Sequence, residues 1–318
     1  LLPHLAMTRR FSSLFTLRAV ARLRDGQTAG ALEDFETAWR FAESPAHEPL
    51  TISQLVRYAG ISIALQVVWE GIVDHRWTTN HLARLQTLLA ANDLEPGIRL
   101  ALAGERVIGA ESLVSMILGS AEGRRAGAAL LDEPVVRPSG TDGMAWGAIY
   151  LYWAPRGWLY ASLAEFSRSL GRIEAASPAE LAGLHAQWPF PPPSDSLRYQ
   201  FYRAYSRPGA DANWVEPVLK GYRTQAHVGL ARLACALERC RLDTGSYPER
   251  LEALTPRWIE EIPSDPIDGR PLRYAREGEG AFRLWSVGAN ARDDGGSRAL
   301  ADGVPLRALD WVWSWPGK

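Results

Sequence analysis

From Thr8 to about Ser120 apolar residues recur every third or fourth position, the period of amphipathic helices. Phe11, Leu14, Leu17, Val20 and Leu23, with Phe15 and Ala21 beside them, predict a first helix, stopped by Asp25-Gly26. Ala31-Leu32, Phe35, Trp39 and Phe41-Ala42 predict a second, ending before Pro45. Thr51 is a candidate cap for a third, Ile52 to about Asp74, with Leu55, Ala59, Ile63 and Val67 inward. A fourth is expected from Thr79 to Ala91, and a fifth from near Pro96 toward Leu118. Short connections make antiparallel neighbours, hence a stack of helical hairpins. The phrase Arg22–Trp39 has the flavour of a tetratricopeptide helix pair, but no second copy follows at a fixed period.

Residues Ala121 to Asp142, rich in Gly, Pro and charge, read as a loop. Trp146, Ile149, Tyr150, Trp153, Trp158 and Tyr160 then form an aromatic belt, expected to pack between two parts of the molecule. A helix from about Trp158 to Ile173 follows, and Ser177-Pro178-Ala179-Glu180 opens another to about Gln187. Trp188-Pro189-Phe190-Pro191-Pro192-Pro193 fits neither helix nor central strand and reads as a stiff connector.

After Pro217, Ala226, Leu230, Leu233 and Leu237 make one apolar stripe on a long helix that ends near Leu242. Thr244-Gly245-Ser246-Tyr247-Pro248 terminates it. A turn-rich stretch, Ile262 to Pro271, leads into a strand at Leu272–Ala275. Gly278-Glu279-Gly280 turns the chain into a second strand, Phe282–Val287, and Trp311-Val312-Trp313 is a candidate third. The expected fold is α+β, in three parts. An all-α helical hairpin domain spans 1–187 and a Pro-rich connector 188–217. A small α+β module of one long helix and a short antiparallel sheet spans 218–318.

The order of motifs in that last part resembles the major pseudopilin of type II secretion. Ala236-Leu237-Glu238 precedes Thr244-Gly245-Ser246-Tyr247-Pro248; then come Pro263-Ser264-Asp265-Pro266 and Gly269-Arg270-Pro271-Leu272-Arg273-Tyr274. Ser286-Val287-Gly288-Ala289-Asn290 and Asp293-Asp294-Gly295-Gly296 close the series. The resemblance covers roughly Ala226 to Asp310. It implies that the final loop binds calcium through Val287, Asn290, Asp293, Asp294 and Asp302, with Asn290 standing where the family has an acid. It also implies a cell-envelope location, periplasmic or exported, with the cytoplasm as the alternative. The family's long apolar N-terminal helix is replaced here by a large helical domain. The whole plan is closer to multi-domain envelope proteins of planctomycete-like and verrucomicrobial bacteria than to a polymerising pseudopilin.

Composition narrows the partners. With 318 residues, 47% hydrophobic and 22% charged, the chain can bury a real core. A net charge of −1 gives no basic excess for nucleic acid, so a protein or envelope partner is expected instead. Gly60–Val73, the best candidate for a membrane span, is interrupted by Gln66 and Glu70. An N-terminal leader or anchor is expected to have been removed. Cys235 and Cys240 lie too far apart on one helix to bridge.

No Gly-x-Ser-x-Gly, HExxH, Walker or dinucleotide-loop pattern occurs. Two classes therefore stand. One is a non-enzymatic envelope protein for binding or assembly, stabilised by calcium. The other is a hydrolase or carbohydrate-active enzyme with a groove in the helical domain, for which Glu70 and Glu111 are candidate buried acids. Two close carboxylates in a cleft would mark the second, an aromatic-lined surface the first.

Overall fold

In the computed structural model, the described residues are 2–108, 119–131, 146–153, 156–186, 210–278, 280–296 and 310–314. They form an α+β fold in which helices dominate and a small antiparallel sheet lies at the C-terminal end. Helices α1 (Pro3–Arg24), α2 (Thr28–Glu43), α3 (Thr51–Val73), α4 (Thr79–Ala90) and α5 (Glu95–Val107) follow one another through short connections. Then come α6 (Ala121–Leu131), α7 (Trp146–Trp153), α8 (Arg156–Ala175), α9 (Pro178–Ala186) and the long α10 (Ala210–Thr244). Strands β1 (Arg273–Glu277), β2 (Ala281–Ser286) and β3 (Trp311–Ser314) pair in the order β1-β2-β3.

Local chemistry accounts for many helix ends. Thr78 caps α4 by accepting from the His81 amide, and Ser177 and Glu180 form a reciprocal capping box at α9. Thr51, read as a cap, is instead the first residue of α3; its amide is capped from afar by Glu105. The expected loop from Ala121 begins as helix α6, because the Ser120 hydroxyl accepts from the Gly123 amide and Ala126–Leu131 favours helix. Helix α10 starts at Ala210, so Pro217 lies within it rather than before it. The Pro-rich segment itself and Glu111 lie outside the described residues.

The face α1 turns inward is not centred on its apolar stripe. Thr8, Ser12, Thr16, Ala19 and Leu23 are buried, whereas Leu14 and Leu17 are 58% and 70% exposed. Close approach explains this. The Ser12 hydroxyl donates to the Gly60 carbonyl, and a Cβ on Gly60 would lie only 2.8 Å from that of Ala42. Small residues let α1, α2 and α3 meet backbone to backbone, and larger side chains would hold them apart. Phe11 and Phe15 lie instead against Phe41 at the rim.

Helix α10 is the hub. Leu230, Leu233 and Leu237 are fully buried, and so are Ala231, Ala234, Cys235 and Ala236 between them. From Leu230 to Leu237 the single stripe read from the sequence therefore widens to apolar cover on most sides, as a helix packed against several neighbours requires. Helices α3 and α4 cover one side; the sheet covers another, with Leu272 filling the space beside Gly229. Helix α3 is long and apolar enough to cross a membrane by length and composition, and here it packs against α1, α2, α5 and α10.

Candidate functional site

The C-terminal loop is held by a fully buried acid, Asp265, in the Pro-Ser-Asp-Pro turn. Its carboxylate accepts from the Ile267 and Val287 amides, the Ser286 hydroxyl and the Arg273 guanidinium, at 2.6 to 3.0 Å. Arg273 also pairs with Asp268. One carboxylate thus ties the turn before β1 to the end of β2, and fixes where the loop leaves the sheet.

Beyond Val287 the chain makes a 3₁₀ turn at Gly288–Asn290, against which α9 packs. The Asn290 amide donates to Asp294 at 2.9 Å. Asp293 is drawn elsewhere: its carboxylate accepts from the Trp285 indole and the Gly295 amide and lies 3.8 Å from Arg273. Gly296, at φ 65°, lets the returning backbone lie against the Trp285 ring. Val287 is buried beneath, anchored by Asp265. Asp302 lies outside the described residues.

The structure brings in an acid that the sequence reading did not include. Asp310, just before β3, is 7% exposed, and its Oδ2 accepts from the Asp294 and Gly296 amides. Its Oδ1 is buried with no partner among the described residues. Burial pushes the Asp310 carboxyl up to about 6, and the charges of Asp294 and Asp293 add to that push. The one available signal was its place ahead of the aromatic strand. Calcium takes roughly six to eight oxygens. Asp310, Asp294 and Asn290 supply oxygen-rich chemistry, and the orphaned Oδ1 fits a cation. Among the described residues no group of three or more His, Cys, Asp or Glu lies close enough together to hold a metal ion.

A second buried acid explains another motif. Glu238, fully buried on α10, accepts from Arg241, from the Tyr247 hydroxyl at 2.8 Å and pairs with His75 at 2.8 Å. The Ala-Leu-Glu and Thr-Gly-x-Tyr-Pro phrases are thus two halves of one polar cluster, joined to the start of the α3–α4 connection.

A cavity of about 690 Å³ opens between α3, α10 and β3. Leu55 and Ala59, expected in the core, are only half-buried and line it with Tyr58, Trp69 and Trp313. Lys220, Arg223 and His227 line the opposite helix, and the described lining contains no Asp or Glu. Burial, aided by Arg223, pushes His227 down to about 4, so it is neutral at pH 7. Glu70, a candidate buried acid, lies outside this lining, at 4.0 Å from Arg24. Three members of the aromatic belt depart from expectation: Ile149, Trp153 and Tyr160 are exposed, Trp153 by 86%, while the side chains of Trp146, Tyr150 and Trp158 lie outside the described ones. Helices α7 and α8 turn the three exposed side chains outward instead of into a core. Cys235 and Cys240 are free and buried, and burial pushes both thiols up, which leaves them unreactive.

No family model matches the chain, and neither the curated proteins nor the solved structures contain a match.

Proposed function

We propose that this is a non-enzymatic binding or assembly protein of the cell envelope, with a pseudopilin-like C-terminal module stabilised by calcium. The observation that carries the binding role is the cavity between α3, α10 and β3, whose wall is aromatic and basic. A glycoside hydrolase would need paired carboxylates at such a surface. The envelope location rests on the resemblance of segment 226–310 to secretion pseudopilins.

Calcium would be held by Asp310, Asp294 and Asn290 with carbonyls of the loop, Val287 and Asp293 lying alongside. It would supply the positive charge that the buried Oδ1 lacks. Binding to the folded state alone raises the melting temperature by mass action. Calcium is expected to raise the Tm of the wild type over that in chelator, and Asp310→Asn to abolish the difference. In chelator at pH 7, Asp310→Asn should melt no lower than wild type, because it removes repulsion with Asp294 and Asp293. Equal wild-type midpoints with calcium and with chelator would refute the calcium assignment.

Binding itself is tested by native mass spectrometry after incubation with an envelope extract. A stoichiometric small-molecule adduct released unchanged supports the reading. Release of a converted product would make the chain an enzyme.

A further inference from the structure

The two helices bordering the cavity run parallel in a single register. Tyr58 lies against Gly221, where an added Cβ would be 3.0 Å from its ring, and His75 meets Glu238; both pairs are offset by 163 positions. In that register Arg223 stands level with Gly60, while Trp69 lies about 13 Å further along at 1.5 Å per residue. Arg223 therefore stands toward one end of the groove, beside Tyr58, and Trp69 toward the other.

Resting on the binding role proposed above, we infer that this groove takes a small amphiphilic anion, its acidic head at Arg223 and its apolar body toward Trp69. Charge supports the polarity. Lys220 pairs with Glu216 at 3.7 Å, whereas Arg223 has no ion pair among the described residues. An Arg fork suits a carboxylate or a phosphate. His227, neutral, adds a hydrogen bond without a second full charge. The Thr224 hydroxyl is already committed to the Lys220 carbonyl. At about 690 Å³ the space suits a small ligand and not a folded partner.

The test is calorimetric titration of the full chain, below micellar concentrations, with decanoate, decyl phosphate, decanol and decyltrimethylammonium. One anion per chain is expected, bound at least about tenfold tighter than decanol or the cation. The preference between decanoate and decyl phosphate identifies the head group. Arg223→Glu and the milder Arg223→Gln, both on an exposed side chain, should weaken the anions about tenfold or more and leave decanol unchanged. Anions that bind no tighter than decanol, or that ignore both variants, overturn the inference. If the envelope extract yields a stoichiometric adduct while both decyl anions fail, the binding role stands and the ligand class assigned here falls.

Discussion

Glu238 keeps its charge inside the protein because three donors surround it. Burial alone would push its carboxyl up, but Arg241, His75 and Tyr247 together outweigh that and hold it below the ordinary range. A depressed folded value means stability that is present above the unfolded value and lost as pH falls through the folded one. Glu238→Gln should cost about 3 kcal/mol near neutral pH, since it strands Arg241 beside a neutral group. Tyr247→Phe should cost about 1 kcal/mol. Urea denaturation should show the gap between wild type and Glu238→Gln closing as pH falls from about 5 to about 3. A gap that stays constant with pH would mean the acid is not ionised in the native state.

At the level of elements, α1 and α3 show that an apolar stripe is a weaker guide than helix spacing. Helix α1 places small and hydroxylated residues inward because Gly60 and Ala42 admit only a near backbone contact. Gly60→Ala should therefore cost about 1–3 kcal/mol by overpacking. Leu17→Ala, a far larger change in side chain, should fall within about 0.5 kcal/mol because that residue is mostly in water. Thermal melts of the two variants check the order; the reverse order would place the α1 contact on its apolar stripe. On α3 the cause is the opposite: Leu55 and Ala59 line the groove because α10 presents Lys220 and Arg223 to it and leaves open space.

Across the whole molecule, α10 joins the helices to the sheet through one continuous core that runs from Ala19 to Trp311. Leu233→Ala at its centre should cost about 2–5 kcal/mol. The loss should appear equally in far-ultraviolet circular dichroism, which follows the helices, and in near-ultraviolet aromatic signals. Non-coincident transitions would mean that the helices and the sheet unfold separately.

Period and turn chemistry act over a few residues, so the sequence by itself determined the helical run, the long helix before the sheet, the hairpin and the third strand at Trp311. It also marked Asn290, Asp293 and Asp294 as one loop. Which face of α1 is buried, that α10 is enclosed around Leu230–Leu237, and that Asp310 returns to Asp294 were decided by tertiary structure. So was the groove, whose basic residues on α10 meet Tyr58 and Trp69 of α3 across an offset of 163 positions. Burial, unpaired oxygens and facing charges are properties of neighbours distant along the chain, and no local pattern records which neighbour a residue will meet.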